Sequence, residues 1–155
     1  MSNTKVRVID CHIVYYNNKK NDWEFLLLRR SMNTIYPGTW QGVTGKIENS
    51  ETPYKTALRE LEEETGLKAY RLFTVDKVNM FYDAKKDTMN LIPVFGAIVK
   101  SNDIILSKEH TQYKWCDLNE TIKLITWDQQ KKGVQIFYDM LIENNTRLKL
   151  MEIKL

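Results

Sequence analysis

GKIENSETPYKTALRELEEETGL, residues 45–67, is the stretch whose reading decides the fold. Thr52 followed by Pro53 predicts a helix start, because proline at the first helical position loses an N–H that would have no partner there anyway. Gly66 predicts the stop, since glycine readily takes the left-handed conformation beyond a helix end. Ala57, Leu58 and Leu61 form the apolar stripe, which leaves Glu60, Glu63 and Glu64 partly to one side of the core-facing surface. Those three sit at i, i+3 and i+4 and therefore share a helical face. Like charges at that spacing repel by roughly a few tenths of a kcal/mol per pair. A divalent cation would turn the repulsion into ligation, and hard cations such as Mg²⁺ prefer oxygen ligands.

Outward from this stretch, strands flank it on both sides. Val6–Tyr16 has β-branched and aromatic content, Asn17–Asp22 reads as a hairpin turn, and Trp23–Arg30 as a second strand buried on both faces through Phe25–Leu28. Arg29 and Arg30 at its end point to opposite sides of a sheet, so one of the two is available to a phosphate. Pro37-Gly38 marks a turn, and Trp40–Thr44 a short strand running into Gly45. Downstream, Ala69–Val78 and Asn79–Tyr82 read as strands, and Asp83–Asp87 as a charged turn. Met89–Val99 reads as a strand whose Pro93 requires an edge or a bulge. Tyr113–Cys116 is a further strand. Asp117 with Glu120 three residues on predicts a capped short helix, and Asp128–Glu143 a longer one with Val134, Phe137, Met140 and Leu141 on one side. Gly133 weakens the first half of that helix, and Asn144–Leu155 carries no sharp pattern. With no repeat, low-complexity segment or linker, the expectation is one α+β domain over residues 1–155.

Composition excludes several classes. The chain has 155 residues, 43% hydrophobic and 28% charged, as in ordinary globular proteins. A net charge of +3, its lysine pairs scattered, gives no basis for nucleic-acid or membrane binding. Met1–Asp10 does not read as a leader, and no apolar run approaches the ~18 residues a membrane span needs. Cys11 and Cys116 are far apart and read as reduced, buried thiols, so the expected location is cytoplasmic. Oligomeric state is not readable from the sequence.

The spacing of residues 45–67 is Gly, five residues, Glu, seven residues, Arg-Glu-Leu, one residue, Glu-Glu, one residue, Gly-Leu. It resembles the Nudix box at every defined position: Gly45, Glu51, Arg59, Glu60, Leu61, Glu63, Glu64, Gly66 and Leu67. The resemblance implies an αβα sandwich with a mixed central sheet. It also implies a pyrophosphatase acting on nucleoside diphosphates linked to another moiety, with Mg²⁺ (or Mn²⁺) held by Glu60, Glu63 and Glu64. In the family the arginine orients a catalytic glutamate. Here that places Arg59 beside Glu51, the pair bracing the glutamates that hold the metal, while Gly45 and Gly66 serve the shape of the motif. Physically, cations held by carboxylates neutralise a phosphoanhydride and lower the pKa of a bound water. Lys46, next to Gly45, is a candidate phosphate contact, and Glu62 reads as solvated surface.

The flanks bear on the substrate. Trp40-Gln41-Gly42-Val43-Thr44-Gly45 and Glu109-His110-Thr111-Gln112-Tyr113-Lys114-Trp115 look like segments of the bacterial dATP / dihydroneopterin triphosphate pyrophosphohydrolases, as does the position of Trp127 before the last helix. In that group a downstream glutamate joins the metal site, which implies that Glu109 is a ligand or general base alongside Glu60 and Glu64. The expected substrate is a small nucleotide or pterin triphosphate, cleaved to the monophosphate and pyrophosphate. Substrate contacts are expected from Arg29, Arg30, Trp40 and Lys46, with Tyr36, Phe81 and Tyr82 as further rings able to stack. Asymmetric dinucleoside tetraphosphate hydrolases share the Glu24–Leu28 strand and the Glu109–Trp115 pattern but usually have a Pro-Lys-Gly turn where this chain has Val43-Thr44-Gly45. A third reading is a Nudix-fold sensor that binds without cleaving; such proteins tend to lose box glutamates, and all are present here.

Overall fold

The computed structural model describes residues 3–155. Met1 and Ser2, which open both the 1–155 domain and the Met1–Asp10 stretch read above as free of a leader, lie outside the described residues. The chain forms β1 (Asn3–Lys5), β2 (Val8–Asn17), β3 (Asp22–Arg30), β4 (Trp40–Gln41), β5 (Val43–Lys46), α1 (Pro53–Thr65), β6 (Arg71–Asp83), β7 (Thr88–Ile98), β8 (His110–Cys116), α2 (Leu118–Leu124), α3 (Asp128–Glu143), α4 (Thr146–Met151) and β9 (Glu152–Ile153). The sheet runs β4-β3-β2-β7-β6-β9, with β5 on β2, β8 on β3 and β1 on β7. The β2–β7 and β1–β7 pairs are parallel and the rest antiparallel, so the sheet is mixed.

Period-two alternation along β2 and β3 feeds two cores. Ile9, Cys11, Ile13, Leu26 and Leu28 pack with Ala57 and Leu61 of α1. Val14, Phe25 and Leu27 pack on the other face with Val134, Phe137, Met140 and Leu141 of α3. The expected αβα sandwich is therefore what the chain forms, with α1 on one face of the sheet and α3 on the other. Phe137 meets Phe25 edge-on at 6.4 Å and lies 6.1 Å from Phe73, and both thiols are buried.

Helix ends follow local chemistry, with one difference from the sequence reading. Gly66 ends α1 at φ 74°, its N–H donating to Glu62 O at 2.8 Å. Asp117 caps α2 by accepting from Glu120 N at 2.8 Å. Thr52 makes no side-chain cap; the Glu51 carboxylate instead accepts from Thr56 Oγ1 at 2.6 Å. The two strands expected at 69–82 are one, β6, whose register shifts between Thr74 and Val78, opposite Pro93. That bulge accommodates the proline in an interior strand. The tail that carried no pattern forms α4, capped by Asn145 accepting from Arg147 N, and β9, which pairs with β6 and is tied by Arg71 to Glu152.

Candidate active site

The β5–α1 connection brings the acidic face of α1 against the sheet. Gly45 on β5 is what lets it approach: a Cβ there would lie 2.3 Å from Cγ and Cδ of Glu60. Arg59 sits at the centre of the connection. Its Nε donates to Glu51 Oε1 at 2.6 Å, Nη2 to Glu51 Oε2 at 3.2 Å and to Lys46 O at 3.0 Å, and Nη1 to Glu60 Oε1 at 3.0 Å and Glu63 Oε2 at 3.1 Å. One guanidinium thus spans the loop and two turns of helix. Hydrogen bonds from Arg59 and Thr56 hold the Glu51 carboxyl down at about 2.

Glu64 differs from its neighbours. It is buried, and Oε2 has no hydrogen-bond partner. Burial, then the charges of Glu60 and Glu109, push its carboxyl up to about 9, against a smaller opposing pull from Arg30. Glu60 is raised by the same burial, opposed by Arg59 and reinforced by Glu63 and Glu109. Four carboxylates, three from α1 and one from the loop before β8, thus meet here, and the charges of Glu63 and Glu109 raise the proton affinity of Glu60 and Glu64. Among the described residues, no three His, Cys, Asp or Glu side chains already surround a common ion position. Glu60 and Glu63 are turned toward Arg59 instead. The donor set still fits a hard cation: all oxygen, mutually repelling, with a buried oxygen unsatisfied.

Beside this cluster lies a cleft of about 370 Å³. Thr44, the residue before Gly45, is in its wall, as is Arg30. Tyr36 and Trp127 meet edge to face at 5.1 Å on one side, and Ile35, Phe81 and Ile92 complete the apolar lining. Its polar wall is Asp10, Gln41, Asn79, Gln129 and Gln130. Asp10 accepts from Asn79 Nδ2 at 2.8 Å and more weakly from Gln130 Nε2 at 3.4 Å, and burial pushes its carboxyl up to about 6 against those bonds. Gln129 is committed to the β6 backbone, bonding Met80 N and O at 2.8 and 2.6 Å.

The residues expected from sequence divide accordingly. Glu60, Glu63 and Glu64 are together on α1, and Glu109, exposed, is within charge range of Glu60 and Glu64; its carbonyl accepts from Ser31 N at 2.9 Å. Arg30 lines the cleft and donates to Ile35 O, whereas Arg29 is bound to Gly38 O and Gln112 Oε1 outside it. A register shift separates these two arginines on β3. Trp40 packs against the α3-side core beside Ile125, and the Lys46 side chain is exposed. Neither lines the cleft. Tyr36, Phe81 and Trp127 do, while Tyr82 is exposed on the β6–β7 hairpin. Sequence reasoning missed Asp10, Gln41, Asn79 and Gln130. The available signal was Asp10 itself, a carboxylate in the middle of the apolar run of β2.

This fold, with a glutamate-rich helix held under a glycine loop by one arginine, defines a hydrolase scaffold of the phosphoanhydride-cleaving type. The Nudix domain family matches residues 7–135, and the chain belongs to that family: it is a Nudix hydrolase. It is 34% identical over 116 residues to the asymmetrical bis(5'-nucleosyl)-tetraphosphatase of Rattus norvegicus, covering 72% of this chain and 76% of that one. It is 47% identical to the dihydroneopterin triphosphate diphosphatase of Haemophilus influenzae over 55 residues, 36% of this chain and 32% of that one. In fold it is similar to an Ap4A hydrolase of C. elegans at TM-score 0.72 and 22% identity, over 90% of this chain and 99% of that one. No helix among the described residues is long and apolar enough to cross a membrane.

Proposed function

We propose that the chain is a divalent-cation-dependent pyrophosphohydrolase that converts a (deoxy)nucleoside triphosphate or dihydroneopterin triphosphate to the monophosphate and pyrophosphate. The observation that carries this reading is the junction of the two halves of the site. Thr44 is in the wall of a ring-sized cleft, and the next residue, Gly45, lies against Glu60 in a cluster of four carboxylates. A single chain of phosphates leaving a ring in the cleft would arrive at that cluster.

Glu60, Glu63 and Glu64, with Glu109, are the residues that would hold Mg²⁺ or Mn²⁺. When bound, the ion supplies neutralisation of the polyphosphate and an acidified water. Arg59 positions this set, keeping Glu60 and Glu63 in place and the loop carbonyl of Lys46 fixed. Glu64 and Glu109 are the candidates for taking the proton of the attacking water, Glu64 from the buried end of the cluster and Glu109 from the exposed loop before β8. Arg30, beside Glu64 and in the cleft wall, is placed to balance phosphate charge.

Hydrolysis of diadenosine tetraphosphate to ATP and AMP is the second reading, favoured by the similarity to the rat tetraphosphatase along most of both chains. Product identification on a panel of triphosphates and diadenosine tetraphosphate with Mg²⁺ separates the two. Monophosphate plus pyrophosphate, absent with EDTA and in Glu63→Gln, is the expected result. Equal rates in the wild type and Glu63→Gln would sink the catalytic assignment, and a strong preference for the tetraphosphate would replace the substrate.

A further inference from the structure

We infer that Asp10, Asn79, Gln130 and Gln41 select the ring by a 2-amino-4-oxopyrimidine edge, the edge shared by guanine and reduced pterins, and turn adenine away. The inference rests on the reading that a ring enters the cleft. All four side chains line it, and Asp10, Asn79 and Gln41 are more than nine-tenths buried. A carboxylate only accepts hydrogen bonds, so Asn79 and Gln130 both turn their amide nitrogens to Asp10. Their oxygens, Asn79 Oδ1 and Gln130 Oε1, are left buried without partners. Gln41 Nε2 is likewise a buried donor with nothing to donate to.

Unpartnered buried polar atoms cost free energy that a complementary ligand recovers. The surplus here is two acceptors and one donor. Guanine presents the complement along one edge, a 2-amino group and a ring N–H to donate and a carbonyl to accept; the pterin ring presents the same three groups. Adenine offers one amino donor beside a ring nitrogen lone pair, which would face an acceptor. The edge-to-face pair of Tyr36 and Trp127 supplies aromatic surface to either ring system and does not discriminate between them.

Calorimetric titration of the wild-type protein with GMP, IMP, AMP and neopterin tests this without hydrolysis. GMP is expected to bind more tightly than AMP by about tenfold or more, as sites with committed polar groups reject analogues that cannot meet them. IMP, which lacks only the 2-amino group, falls between. The neopterin and GMP arms show which source of the shared edge is preferred. Asn79→Ala and Gln130→Ala are each expected to bring the GMP-to-AMP ratio toward one, and the GMP-to-IMP ratio falls only in the variant that loses the acceptor of the 2-amino group. Should Asn79→Ala not fold by circular dichroism, Gln130→Ala, at a half-buried helix position, carries the test. AMP binding as well as GMP, a wild-type GMP-to-IMP ratio of one, or no binding by any of the four overturns the inference. A retained GMP preference in a protein that hydrolyses no triphosphate would instead sink the proposed reaction and leave this selection standing.

Discussion

Arg59 reaches Glu51 with two nitrogens and Glu60, Glu63 and Lys46 O with what remains of its fork. A lysine keeps the charge but has one donor centre and cannot span those directions. Arg59→Lys is therefore expected to lower kcat/KM by about ten- to a hundredfold, the usual cost of losing a residue that orients metal ligands, with a smaller loss in thermal stability; steady-state assay and thermal melts check both. Glu64 tests a different property. Its raised carboxyl is largely protonated near neutrality in the chelated protein, so Glu64→Gln replaces one neutral group by another of the same shape. The expected outcome is a melting temperature close to that of the wild type in EDTA, together with loss of the rise that Mg²⁺ produces in the wild type. A Glu64→Gln protein that Mg²⁺ still stabilises fully would remove Glu64 from the proposed ligand set.

Two contacts between strands and helices distinguish site assembly from folding. At Gly45 an added Cβ meets the end of the Glu60 side chain; at Gly96 on β7 it meets the Phe137 ring of α3 at 2.3 Å. Glu60 can swing away, whereas Phe137 is fully buried between Phe25 and Phe73. Gly45→Ala is thus expected to fold with nearly native stability and lose hydrolysis. Gly96→Ala is expected to lose about 1–3 kcal/mol in urea denaturation, the range for overpacking, while its folded fraction keeps activity. The sequence allowed the α1 and α3 ends to be placed because Pro53 and Gly66, and the apolar side from Val134 to Leu141, are local signals. It did not show that β6 is one strand: Pro93 forces a bulge whose place depends on the partner strand. Nor did it show α4 and β9, two short elements held by Leu148 in the α3-side core and by the Arg71–Glu152 pair. Within the site, the box carboxylates share one helix and their spacing was legible. The cleft draws Asp10, Gln41, Asn79 and Gln130 from β2, β4, β6 and α3. No spacing in a linear sequence reports that meeting, and the division of labour between Arg29 and Arg30 depended on a register shift in β3.

For the whole molecule, the buried titratable groups set a pH profile whose limbs have separate causes. Burial holds His12 at about 4, and burial together with Arg30 holds His110 at about 4. Between pH 4 and 6.5 the unfolded chain binds protons at these rings that the folded chain does not, so stability rises with pH there. Asp10, raised to about 6, has the opposite sign: the folded state holds its proton through a window in which the unfolded state has lost it, and stability falls as pH rises from about 4 to 6. His12 and Asp10 each span roughly two pH units, at most about 3 kcal/mol apiece, and nearly cancel. His110 is offset in turn by Glu64, whose carboxyl, raised from 4.5 to about 9, keeps its proton in the folded chain after the unfolded chain has lost it, so stability is nearly level between about pH 4.5 and 6.5. Glu51, held at about 2, adds stability that is complete above its ordinary range and is lost only as pH falls toward 2. Above neutrality Glu64 dominates. With its carboxyl at about 9, it takes stability from the chelated protein from about pH 4.5 up to 9, a loss that the histidines no longer mask once both rings are neutral in the unfolded chain. Cation ligation would reverse that limb, because it holds Glu64 ionised and binding then releases a proton. Melting temperatures in EDTA are therefore expected to stay nearly level from about pH 4.5 to 6.5 and to decline from there to pH 9. In excess Mg²⁺ the decline is expected to disappear in the wild type but not in Glu63→Gln. An alkaline limb unchanged by Mg²⁺ in the wild type would place the ion elsewhere than at Glu64.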